Sequence, residues 1–278
     1  MAITNIPEVW SPVVLEALRK TLVYNRMFNA DYQGDVRFGN QVSILSLAPV
    51  TVNDYTRYDD ITYQAPDDSA QILPIDQEAY YACTVDDLDS LQSNADLLGA
   101  LARDAVYQMA NKIDGYLAGL LNAGAGIVSG LGTSGTPLSI SSDDVKALVL
   151  TIGRKLDEAN VSRMGRAIAV PPWFVEKMVL AGIDIQSNND EIVSNGYVGR
   201  MLGFDILMSN NAPVTTGKYS IIAGTNIGAT MAMQLNRAET LRLPNTFADA
   251  IRGLACYGGK ITRPATIAKA IVTEGAET

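Results

Sequence analysis

The 278 residues contain no histidine. That absence removes the imidazole general base, the Ser-His-Asp and Cys-His nucleophile pairs and any zinc site with a histidine ligand. Cysteine is nearly as scarce: Cys83 and Cys256 are the only two and form no CxxC. Neither a disulfide framework nor a cysteine-rich metal site follows, and both are expected as buried free thiols. Positive charge is short as well, with 21 Lys and Arg against 30 Asp and Glu for a net −9. A chain-wide nucleic-acid surface is excluded, because phosphate neutralisation needs a clustered excess of cations. No basic n-region opens the chain, since Glu8 precedes the first basic residue, Arg19, so no secretory signal is expected and the product should stay cytoplasmic. Long apolar runs are also missing. The uncharged stretch Gly115 to Ser142 carries seven glycines and several Ser, Thr and Asn residues, which argues against a membrane span.

What remains is an ordinary globular composition, 47% hydrophobic and 18% charged, long enough for one or two domains with a proper core. The first 35 or so residues read as an extended, proline-punctuated arm with one short helix marked by Val14, Leu15, Leu18 and Leu22. Alternation predicts strands from Gln41 and again from Ile75 to Val85. The span between them, Thr51 to Leu73, is polar, with Tyr55, Tyr58, Tyr63 and three Asp clusters, and has little to bury. Two strands flanking such a span predict a long projecting hairpin whose tyrosines suit a partner surface.

A helix is predicted from an N-cap at Ser93, with Asp96 in the first turn, to Gly124, with Ala95, Leu98, Ala102, Ala105, Met109, Ile113, Leu117 and Leu120 on one face. It would span roughly 40 Å and act as a strut. A Gly/Ser/Thr-rich connector follows, then a mixed α/β region: a helix capped by Ser142, a strand Ala167 to Val170, and a helix Trp173 to Leu180 started by Pro171-Pro172. Short strands are predicted over Asp205 to Met208, Tyr219 to Ala223, Glu239 to Leu243, Ala250 to Tyr257 and Lys260 to Ile271, with Gly258-Gly259 breaking the last two apart.

Catalytic motifs fail on inspection. The connector glycines lack the lysine of a phosphate-binding loop and follow a helix rather than a strand. There is no Ser-x-x-Lys, and no Asp cluster has the alternating EF-hand pattern. The pairs Asp59-Asp60, Asp67-Asp68 and Asp86-Asp87 leave a carboxylate hydrolase or a cation site open on residue type, but they lie in or beside a polar hairpin rather than in a partly apolar cleft. No catalytic residue, cofactor or metal ligand is therefore assigned. Charge by segment is more telling. Residues 54–96 hold eleven acidic residues and one basic residue, Arg57, a net −10, while the rest has twenty basic and nineteen acidic residues. The whole net charge sits on the hairpin and its approach to the strut, as befits a docking element for a basic partner.

This order of elements resembles the Hong Kong 97-like major capsid proteins of tailed bacteriophages. IPEVWSPVVLEALRKTLVYNRMFNADYQGDV is similar to the N-terminal arm of such proteins, NGYVGRMLGFDILMSNNAP to their glycine-punctuated strand and Asn-Asn-Ala-Pro turn, and FADAIRGLACYGGKITRPATIAKAIV to their C-terminal ending. The resemblance implies an α+β capsid fold: an N-terminal arm (1–35), an extended β-hairpin loop (36–80), a peripheral domain with a spine helix (81–125 and 232–260) and an axial domain (126–231 and 261–278). It also implies a non-enzymatic subunit of hexamers and pentamers in an icosahedral head enclosing double-stranded DNA, assembled in the host bacterial cytoplasm and found in the virion, without a membrane. The hairpin would lie over a neighbouring copy. Asp54, Tyr55, Arg57, Tyr58, Asp59, Asp60, Tyr63, Asp67 and Asp68 are then the docking candidates, and Arg19, Lys20, Arg26, Arg237, Arg242 and Arg252 the basic counter-surface.

Two departures shape the expected partners. Arm-like sequence begins almost at Met1, so a separate scaffolding protein is expected beside the portal protein. No lysine lies between Gln41 and Asn111, so a covalently cross-linked hairpin is not expected and a cement protein could reinforce the shell. The alternatives are an encapsulin-like, cargo-enclosing nanocompartment and a carboxylate-dependent hydrolase.

Overall fold

A computed structural model describes residues 23–32, 41–47, 52–55, 57–58, 60, 63, 68–87, 97–182 and 197–276. The chain places a long helix, α1 (Leu97–Gly124), between two sheets. On one side lies an antiparallel three-stranded sheet in the order β10-β11-β3, made of β3 (Gln77–Asp86), β10 (Ala229–Arg242) and β11 (Ala248–Ile261). On the other lies a mixed seven-stranded sheet: β4 (Leu138–Ile140), β5 (Arg166–Val170), β6 (Tyr197–Met201), β7 (Phe204–Met208), β8 (Val214–Thr215), β9 (Lys218–Thr225) and β12 (Ile267–Glu274), ordered β4-β12-β9-β5-β7-β6 with β8 on β9.

The face predicted for α1 is buried at Ala102, Ala105, Met109, Ile113 and Leu117. Val106, Ala110, Ala118 and Leu121 are buried too, because the helix packs on both sheets and needs a wide stripe: Ala79, Ala255 and Tyr257 come from one sheet, Ala169, Leu207 and Ile222 from the other. Ser93 and Asp96, the predicted start, lie outside the described residues. The far face of the large sheet carries a second core, where α2 (Ser142–Glu158) and α3 (Pro172–Leu180) supply Val145, Val149, Ile152, Leu156, Phe174 and Met178.

Four expectations need correction. The partner of β1 (Gln41–Leu47) is β2 (Asp68–Pro74), not the strand from Ile75, with register Gln41↔Pro74 to Leu47↔Asp68. Ile72 and Leu73 end the polar span, and Leu73, Ile75 and Ile44 bury together against Ala232 of β10, which anchors the hairpin base. Gly258-Gly259 do not break a strand; β11 runs straight through them to Ile261, and the break falls within the expected strand Lys260 to Ile271, at the 3-10 turn Pro264–Thr266 before β12. The N-cap of α2 is Ser141 rather than Ser142: the Asp144 carboxylate accepts from the Ser141 N–H (3.2 Å) and Oγ–H (2.7 Å), closing the helix start. Ser141→Ala should lower unfolding free energy by about 1 kcal/mol in urea titration. Finally, Cys83 and Cys256 are free but only half-buried.

Candidate interaction surfaces

The described residues between β1 and β2, at the hairpin tip, stand in solvent. Tyr58 and Tyr63 are 97% and 93% exposed, Tyr55 68%, and Asp54, Arg57 and Asp60 are exposed as well. Asp59 and Asp67 lie outside the described residues, and Asp68 is placed as the first residue of β2 with its side chain outside them. An aromatic exposed to that degree forfeits most of its burial energy, so these side chains contribute little to the fold of their own chain.

The basic candidates behave differently. Arg19 and Lys20 lie outside the described residues, and Arg237 is placed only by its backbone, at a register shift of β10. The other three are held by acids of the same chain. Arg26 reaches Asp205 at 2.9 Å, beside Arg200 at 3.3 Å. Arg242 spans Asp87 (2.6 Å) and Asp249 (3.2 Å), and its guanidinium holds the Asp87 carboxyl below the usual carboxylate range. Arg252 pairs with Glu239 across β10 and β11. All three keep about half or more of the side chain exposed, so a further carboxylate could join each pair.

Two buried polar clusters went unpredicted. Asp114 is 2% exposed in the middle of α1. Its Oδ1 accepts the Val23 and Tyr24 N–H groups, both at 2.9 Å, and its Oδ2 accepts Asn211 Nδ2 (3.0 Å) and Ser209 Oγ (3.4 Å). Burial pushes its carboxyl above the usual range, against the pull of these donors. The spacing held a signal, since Asp114 stands four residues from the buried Ala110 and four from the buried Ala118.

The second cluster closes the end of α2. Arg166, 3% exposed, donates to Asp157 (2.7 Å) and to the carbonyls of Val161 and Ser162, with Phe204 stacked 5.9 Å from its guanidinium. It lines a cleft of about 530 Å³ rimmed by Leu150, Arg154, Arg163 and Leu202. Hydrogen bonds from Arg163 and Arg166 hold the Asp157 carboxyl down to about 2. A depressed carboxyl stabilises the fold above the ordinary value of 3.8, and that share is lost as pH falls through about 2. Acid titration of Asp157→Asn should therefore show a shallower loss of thermal stability between these values than the parent. Arg166→Ala, which leaves buried carbonyls unpaired, should cost about 2–3 kcal/mol. Among the described residues no three Cys, Asp or Glu converge as a metal-binding group.

Residues 51–270 match the family described as phage capsid protein. The chain belongs to that family. A solved structure from Mycobacterium phage Che8 is 28% identical, covering 89% of this chain and 90% of that one with a TM-score of 0.73. The capsid of cyanophage P-SCSP1u aligns over 86% and 85% at 13% identity (TM-score 0.69). The virus-like particle from Pyrococcus furiosus aligns over 95% and 98% at 14% identity (TM-score 0.59). The last two show the fold alone. No curated protein sequence matches. The capsid protein thus has the Hong Kong 97-like fold, and its role is that of a structural shell subunit of the virion, present in many copies.

Proposed function

We propose that this chain is the major capsid protein of a tailed phage, forming hexamers and pentamers of an icosahedral head around double-stranded DNA, with the tip of the β1–β2 hairpin docked on an adjacent copy. The observation that carries the docking is the exposure of Tyr55, Tyr58 and Tyr63 among carboxylates on an element that buries only its base. The receiving surface is the part of the β10-β11-β3 sheet face turned away from α1 that the hairpin base leaves uncovered. There Tyr80 is 79% exposed and Arg252 stands beside Glu239, while Arg242 lies at the end of the same sheet. A carboxylate arriving at these arginines meets partly satisfied cations, which favours orientation and encounter rate over raw affinity. The large sheet and the body around α1 are the axial and peripheral domains of this arrangement, and portal, scaffolding and cement proteins are its further partners.

Negative-stain electron microscopy and size-exclusion chromatography of the purified protein, with and without its neighbouring gene products, test the proposal. Closed shells of one diameter that need those products support a phage head. Small shells that close alone and retain a cargo tail would instead indicate a nanocompartment. A stable monomer under every condition would overturn the shell reading.

A further inference from the structure

We infer that Asp114 is a positioning residue whose carboxylate fixes the large sheet on the spine helix and so sets the curvature of the shell; the curvature step rests on the shell reading above. Three chain segments meet on this one side chain. The helix supplies the carboxylate, the start of the 3-10 turn Tyr24–Met27 with its N-cap Val23 supplies two backbone N–H groups, and the turn after β7 supplies Ser209 and Asn211. Arg26, from the same segment, reaches Asp205 within β7, so the tie to the large sheet is made twice.

The chemistry of the seat favours direction over strength. A leucine-sized apolar residue would pack there without desolvating a charge, yet it would leave the relative placement of helix and sheet to shape alone. Four donors on two carboxylate oxygens specify it. Tyr24 adds to the cost of the seat, being fully buried with an Oη that has no hydrogen-bond partner among the described residues. In a shell, curvature is the angle between neighbouring subunits. That angle follows the angle between the two bodies that each subunit presents, and packed interfaces convert small local shifts into discrete changes of such angles.

The test uses a selective variant. Asp114→Asn keeps Oδ1 for the Val23 and Tyr24 N–H groups but points an NH2 at the Asn211 NH2, which can turn its amide over only by giving up its 2.7 Å bond to Asn111 Oδ1, so the sheet half of the junction alone is weakened. The expected result is a folded protein, with hydrogen exchange in residues 145–156 unchanged, that assembles into mixed diameters and open sheets where the parent gives one diameter. Adding Asn211→Asp restores a donor-acceptor pair and should restore the single diameter. Variant shells matching the parent's diameter, or variant heterogeneity that the second substitution leaves untouched, would overturn the inference. If the parent itself forms no shell, the shell reading fails; protection of the Val23 and Tyr24 amides, lost in Asp114→Ala but kept in Asp114→Asn, then decides the junction by itself.

Discussion

Gly258→Ala should leave the protein largely insoluble, or destabilise it by about 3 kcal/mol or more. A Cβ at this position would fall on the Pro74 carbonyl oxygen and within 2.7 Å of Ile75 Cα. Both are backbone atoms, so no rotamer change can relieve the clash. Pro74 ends β2 and Ile75 is buried in the hairpin base, which means that this glycine is where the hairpin closes on β11. Its neighbour Gly259 does the same for the helix, since a Cβ there would meet Leu120 Cδ2 at 2.7 Å. Overpacking ordinarily costs about 1–3 kcal/mol, and a rigid neighbour pushes that upward against a total stability of about 5–15 kcal/mol. Gly253→Ala is the matched control. Its obstacle is the ring of Tyr81, its cross-strand partner, which can swing aside, so a smaller loss is expected. Urea midpoints and soluble yield measure both, and a Gly258→Ala midpoint equal to the parent's would show that the close approach is unnecessary.

The same two glycines show what the sequence could convey. A Gly-Gly pair ordinarily punctuates a strand, and nothing local says that the space above it is taken by the Pro74 corner and by Leu120, 184 and 139 positions away along the chain from Gly258 and Gly259. Elements whose pattern is local were legible. The strut and α2 showed in the 3.6-residue period, α3 in the Pro171-Pro172 start, and β5 in a short apolar run that those prolines end. β2 was hidden because only Ile72 and Leu73 of its seven residues are large and apolar, and its pairing depends on β10 supplying the surface beneath. The hairpin's acidic, aromatic character was visible because exposure leaves charge undisturbed by partners. The partners of Arg26, Arg242 and Arg252 lie 179, 155 and 13 positions away, and residue type alone names no partner.

Reversing Asp59, Asp60, Asp67 and Asp68 to Lys should abolish shell assembly, or leave shells that open at lower temperature, while the folded subunit survives. The substitutions turn the net charge of residues 54–96 from −10 to −2 and that of the chain from −9 to −1. Asp60 is exposed, and its described neighbours from Val52 to Tyr63 touch no core, so the unfolding transition of the unassembled chain should barely move. Assembly is different, because like charges brought together at a desolvated contact cost several kcal/mol and each shell repeats the contact in every subunit. Part of the effect should fade with salt, since exposed charges are screened beyond about 8–10 Å at physiological ionic strength. A chain near neutrality also self-associates without specificity. A second variant therefore places four lysines at Asp143, Glu158, Glu176 and Glu274, away from the hairpin, reaching the same net charge. Shells from this control, and none from the hairpin variant, would place the docking charge on the hairpin. Equal failure of the two would assign the effect to net charge, and normal diameter and heat stability in the hairpin variant would remove the acidic span from assembly altogether.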